Sequence, residues 1–168
     1  HVQRRYAMRN PRGFRGYGEN AWGITASDGP GPAVRRVDGV ERRFYDYRAR
    51  GAPFGLDDGT LAPWAVAASL PFAPEIVLPA LRHFDEAWPR TTSEYGFKCS
   101  FNPTFPGSRP GGWVSKGYYG LDQGPVVLMI ENYRTGRPWR WMRSSPPVVR
   151  GLLRAGFGGG WLAGRTAP

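Results

Sequence analysis

The sequence predicts an all-α chain whose helices are separated by long irregular loops, and three observations carry that expectation. Apolar side chains recur at helical spacing in several separate segments. Two-residue alternation never extends beyond a few positions, so any strands should be few and short. Between the helical segments lie residues 10–60 and 89–123, where Gly or Pro recurs every few positions. Connections of that length are uncommon inside a compact domain, and helices that are apolar all round need partners to cover them. Residues 1–168 are therefore expected to be the C-terminal part of one larger helical domain. Its N-terminal helices would lie outside this sequence, and its long loops would form the active face.

Residues 2–8 read as a helix stopped at Asn10-Pro11, because the residue before proline is pushed out of the α region. Arg43-Phe44-Tyr45-Asp46-Tyr47 alternates briefly and suits a short strand. Residues 61–70, LAPWAVAASL, suit a buried helix with Pro63 near its start. Val77, Leu81, Phe84 and Trp88 repeat at helical spacing, with Pro79 near that helix's N-terminus or kinking it. Gly124-Pro125 opens an apolar helix through Tyr133 that Thr135-Gly136 closes. Residues 138–142 make a short aromatic helix. Pro146-Pro147 starts the last one, with Val149, Leu152 and Leu153 inward and Arg150 and Arg154 outward.

Composition excludes several classes. At 40% hydrophobic and 21% charged residues the chain is too apolar for a disordered protein. Its longest aliphatic run, residues 126–130, falls far short of the roughly 18 apolar residues of a membrane span. The basic start, HVQRRYAMRN, contains no apolar signal core. Net charge is +10, with 21 of the 23 cations Arg. These cations are scattered in ones and twos and form no basic helix face, so no nucleic-acid partner is expected. A lone cysteine, Cys99, rules out an intrachain disulfide framework, and with only two His no structural zinc site is expected. Cys99 sits between Lys98 and Ser100 and reads as an ordinary small side chain in a polar loop. No metal or organic cofactor is expected.

What chemistry there is lies in the loops. Residues 17–30 mix aromatics, amides, glycines and isolated carboxylates. Aromatic faces stack on the C–H face of a sugar ring, while Asn, Thr, Asp and Glu satisfy its hydroxyls. Carboxylates also supply the acid and base of glycosidic cleavage. Asp57-Asp58 and Asp122 add carboxylates beside Trp64 and Tyr119. The competing reading is that Asp and Asn stand beside Gly because turns favour them. His83, on a helix beside Phe84, reads as structural.

Three strings are more specific: WGITASDGP at residues 22–30, DDGTLAPWAVAASLPFAPEIVLPALRHF at 57–84 and GLDQGPVVLMIENYRTG at 120–136. With RNPRGFRGYGEN before them and RAGFGGGWL near the end, they resemble the bacterial glucoamylase-like family over residues 3–162. That family includes endo-β-1,2-glucanases and the transglycosylase domain of cyclic β-1,2-glucan synthases. The resemblance implies an (α/α)6 toroid of about twice this length or more and a β-glucan substrate. It also favours a periplasmic or secreted location.

The resemblance also implies a general acid on an earlier helix–loop, in an Asn-Glu-Ala-type motif and a following Ser-Pro-Thr-His-type segment that this sequence lacks. Glu19 and Asp122 are then the base-side candidates, Glu19 ranked first and helix capping the competing role for Asp122. Tyr17, Trp22, Thr25, Asp28, Trp64 and Tyr119 are the expected sugar-binding residues. Glu131 is expected to pair with an Arg, and Asp57 and Asp58 to cap the helix near Pro63 or order its approach loop. Hydrolysis, transglycosylation and a non-catalytic glycan-binding role all remain open.

Overall fold

A computed structural model describes residues 1–107 and 111–166. Six α-helices, two short 3-10 helices and three short antiparallel strand pairs make up its regular structure among the described residues. The chain is helix-rich as expected, and the strands are brief. Among the described residues no helix is long and apolar enough to cross a membrane.

Helix α1 (Val2–Arg9) ends at Asn10, which adopts the left-handed conformation at φ 42° and donates its N–H to Tyr6 O. The Asn10 side chain both accepts from Phe14 N and donates to Phe14 O, at 2.8 Å each, and so turns the chain back. Strands β1 (Ala33–Val37) and β2 (Val40–Phe44) form a hairpin within residues 10–60, where Gly and Pro recur every few positions. Asp38 and Gly39 at its tip have φ of 53° and 77°. Positive values at both centres of a two-residue loop match the twist of the flanking strands. The strand expected at residues 43–47 is thus β2, displaced towards the N-terminus.

Helix α2 (Pro63–Ala67) is shorter than residues 61–70 suggested, because Leu61 pairs with Phe101 as an isolated bridge instead of starting a helix. Helix α3 (Pro74–Ala87) keeps the predicted stripe and carries Pro79 inside it. Strands β3 (Thr92–Ser93) and β4 (Gly96–Phe97) pair next. They are followed by β5 (Phe101–Asn102) and β6 (Trp113–Val114). Helix α4 (Gly120–Thr135) opens one turn earlier than Gly124-Pro125, so Pro125 lies in its second turn. Helices α5 (Arg137–Ser144) and α6 (Pro146–Arg154) complete the set.

The core lies between α2, α3 and the loops that cross them. Trp22, Ile24, Leu61, Val66, Val77, Ala80, Phe84 and Phe101 form one buried cluster. Phe84 and Trp88 pack on Phe101 at ring distances of 5.6 and 5.0 Å, and His83 meets Trp88 edge-on. Reciprocal backbone bonds between Leu61 and Phe101 (2.8 and 2.9 Å), with Ala62 N donating to Gly23 O, stitch three distant loops to this core. The other end is different. Helices α5 and α6 bury no residue, α4 buries only Asp122 and Asn132, and Leu121, Val127, Leu128 and Trp141 face outward. Val149, Leu152 and Leu153 are only half-buried.

Candidate functional site

The loop after Ile24 carries Asp28, and a buried ion pair fixes its path. Arg50 and Asp58 are wholly enclosed, with Nε to Oδ1 and Nη2 to Oδ2 both at 2.8 Å. Arg50 also donates to Ser27 O at 2.6 Å and to Tyr45 O and Asp46 O at 3.1 and 3.0 Å. Ser27 exchanges two 3.2 Å backbone bonds with Arg48. Gly29 follows Asp28 because a Cβ there would run into Tyr45 O and the Arg50 guanidinium.

Asp28 is then gripped from the other side of the sequence. Ser100 Oγ donates to Asp28 O at 2.7 Å, and Asp28 N donates to Cys99 Sγ at 3.5 Å. Ser115 Oγ donates to Asp28 Oδ2 at 2.9 Å. Next to it, in the first turn of α4, stands Asp122, 4% exposed, its Oδ2 without a hydrogen-bond partner among the described residues. Burial holds the Asp122 carboxyl above its usual pKa, the charge of Asp28 adds to this, and a hydrogen bond with Cys99 opposes it. Burial pushes the Cys99 thiol up to about 12. Tyr119, at the N-cap of α4, is half exposed, and its hydroxyl is raised first by the charge of Asp28. Two carboxylates, a thiol, two hydroxyls and an exposed phenol thus meet in one cluster. A carboxyl with raised proton affinity and one free oxygen is equipped to take or hold a proton.

The structure separates the two base-side candidates. Glu19 lies exposed in the turn closed by Gly18 and Ala21, is ion-paired with Arg4, and shares no hydrogen-bond partner with the Asp28–Asp122 cluster. The capping role is not what Asp122 performs: α4 has no side-chain cap bond. Tyr17 donates its hydroxyl to Asp57 Oδ1 at 2.6 Å, and burial raises its pKa well above the ordinary value. Tyr6 donates to Asp57 Oδ2 at 2.9 Å, and Gly59 N donates to Oδ1. Asp57 and Asp58 therefore order the loop approaching α2, which has no side-chain cap either.

Trp22 is 5% exposed within the core, its Nε1 unpartnered. Trp64, on α2, is half-buried with its Nε1 also unpartnered. Thr25 is half-buried, and its carbonyl accepts from Ser27 Oγ at 3.2 Å. Glu131 accepts from Thr135 Oγ1 at 2.6 Å and makes no Arg pair among the described residues. Cys99, read from sequence as a polar-loop residue, is buried between Asp28 and Asp122. Ser100, Ser115 and Arg50 carry no local signal, since their partners lie far away in sequence. Among the described residues no group of three or more His, Cys, Asp or Glu side chains is placed to hold a metal ion.

Loops on a helical scaffold thus bring two carboxylates, a thiol, two hydroxyls and one exposed phenol together. Comparison with known proteins gives the family. The chain belongs to the Glycoamylase family, whose model, described as "Putative glucoamylase", matches residues 1–146.

It is 36% identical over 158 residues to an exo-β-1,2-glucooligosaccharide sophorohydrolase (non-reducing end) of Parabacteroides distasonis, covering 91% of this chain and 19% of that protein. Among solved structures, a "putative glucoamylase" of Bacteroides uniformis is 41% identical with a TM-score of 0.77, over 96% of this chain and 34% of that one. The endo-β-1,2-glucanase of Chitinophaga pinensis, solved with sophorotriose and glucose, is 31% identical with a TM-score of 0.66, over 89% of this chain and 31% of that one. The chain thus spans about a fifth of its curated relative and about a third of these solved chains.

Proposed function

We propose that this chain is the C-terminal, loop-bearing part of an (α/α)6 glycoside hydrolase domain acting on β-glucan, β-1,2-linked glucan in particular. Family membership and relatives named for β-1,2-glucan cleavage support the substrate class. A polymeric glucan substrate favours action in the periplasm or outside the cell. The observation that carries the site is Asp122: buried, proton-affine, and with one oxygen left unpartnered beside Asp28.

In this reading Asp122 accepts the proton of a water as that water attacks the anomeric carbon. A general acid outside these residues protonates the departing glycosidic oxygen. Asp28, held by Ser115, accepts a sugar hydroxyl, and Tyr119 offers its ring to the sugar face. Glu19, exposed and committed to Arg4, ranks below Asp122, the reverse of the order expected from sequence.

The test is Asp122→Asn and Glu19→Gln in protein carrying the whole family domain, scored by sugar release from linear β-1,2-glucan and by melting temperature. Asp122→Asn is expected to cut turnover by at least about 100-fold without lowering the melting temperature, a larger loss than Glu19→Gln causes. Near-normal release by Asp122→Asn overturns the assignment.

A further inference from the structure

Away from the Asp28–Asp122 cluster, the hairpin β1–β2 is clamped onto the loop that follows α1, and a hollow of about 380 Å3 is left between them. Three ties fix its walls. Arg15 pairs with Asp38 at the hairpin tip, with Nε to Oδ2 at 2.9 Å. Arg42 reaches back to Arg12 O and Gly13 O at 2.9 and 3.0 Å. Arg12 in turn donates to Asp57 O at 2.9 Å. The hollow is preformed.

Its chemistry is cationic. Arg12, Arg42 and Arg43 all line it, and among the described residues none of the three is ion-paired with a carboxylate. Arg42 also has a buried Nε with no acceptor among the described residues, an arrangement that costs free energy unless something supplies one. Asp57 lines the same hollow, but its oxygens already accept from Tyr6, Tyr17 and Gly59 N. Glu41 stands exposed at the edge.

The aromatic rings in the lining are not open sugar platforms. The Arg42 guanidinium covers Phe14 at 4.8 Å, and Arg48 stands 6.0 Å from the centre of Tyr45. Guanidiniums from two separate elements suit a tetrahedral oxyanion, which accepts hydrogen bonds from several directions, better than a planar carboxylate.

We propose that this hollow is a phosphate-binding site, taking a phosphate group either free or as the ester of a small sugar. It is independent of the β-glucan reading and of Asp122. Arg42 and Arg12 supply donors from the wall of the hairpin and the facing loop. Arg43, exposed and without a hydrogen bond of its own among the described residues, closes on the bound anion. Glu41 opposes the anion's charge and sets the affinity.

The test is calorimetric titration of the protein at constant ionic strength with inorganic phosphate, glucose 6-phosphate and glucose. Phosphate is expected to bind saturably at one site, and glucose is expected not to compete. Arg43→Gln and Arg12→Gln should each weaken binding at least tenfold, Arg43→Gln with an unchanged melting temperature, and Glu41→Gln should tighten it severalfold. Arg43→Gln carries the weight, since that side chain holds no part of the fold together. A glucose 6-phosphate affinity above that of inorganic phosphate assigns the site to the ester, and equal affinities assign it to the free anion. Unsaturable phosphate binding, or saturable binding that both arginine variants leave unchanged, overturns the proposal. So does displacement of phosphate by glucose.

Discussion

Replacing Asp58 by Asn tests how far one buried ion pair organises the loop face. Asp58 Oδ1 accepts from Arg50 Nε at 2.8 Å and Thr60 N at 3.2 Å, while Oδ2 accepts from Arg50 Nη2 at 2.8 Å and Tyr45 N at 3.1 Å. All four partners are donors. An Asn side chain offers one oxygen, so whichever way the amide turns, its NH2 faces two N–H groups. The change also leaves a guanidinium with no exposed surface and no counter-charge. Removing one partner of such a pair costs about 3–5 kcal/mol, against a total stability of roughly 5–15 kcal/mol for a domain.

Denaturant unfolding of Asp58→Asn, followed by tryptophan fluorescence, should show a loss in that range. Asp58→Asn combined with Arg50→Met should recover part of it by removing the stranded charge. The recovery stays incomplete, because the Ser27, Tyr45 and Asp46 carbonyls lose their donor. A loss under about 1 kcal/mol, well below the cost of an uncompensated buried charge, refutes the reasoning.

Two further outcomes follow from burial. Trp22→Ala should cost about 3–5 kcal/mol, as large-to-small changes in a packed core do, because the ring lies inside the main cluster. A variant of full stability that has lost only glucan turnover would instead identify Trp22 as a sugar contact. Asp122 binds its proton more tightly folded than unfolded, so wild-type stability should fall as pH rises from the ordinary carboxylate range through the raised value. Asp122→Asn removes that slope, and unfolding measured from pH 3 to 8 should show the two proteins diverging towards higher pH. Parallel curves would show that the carboxyl is not desolvated.

Helices with a strong local pattern were legible in the sequence. The Val77, Leu81, Phe84 and Trp88 repeat located α3, and the Pro-initiated segments located α5 and α6. The hairpin was missed although its signal was present: Asp38-Gly39 between short alternating runs is a strong hairpin cue, and the surrounding Gly and Pro residues obscured it. The start of α4 was misplaced because Pro125 looked like a first residue.

The site was legible only in part. Asp28, Tyr119 and Asp122 stood out by residue type and setting, but nothing local indicates that Cys99 and Ser115 close around them. Those contacts come from pairings between distant loops. Glu19 ranked high for its aromatic neighbours, yet Trp22 turned into the core and Tyr17 towards Asp57, leaving Glu19 outside.

The carboxylate cluster is held by bonds that cross 71, 72 and 87 residues of chain. Closing loops of that length costs entropy before any contact repays it, so such contacts consolidate late in folding, after local helices and the hairpin. By the same reasoning they open at a lower free energy than the core around Phe84 and Phe101. Hydrogen exchange at Asp28 N, which donates to Cys99 Sγ at 3.5 Å across 71 residues, would therefore report the last and most easily undone step of assembly. A mutation far from Asp122 that slackens any of these loops would blunt the site while leaving the helices in place.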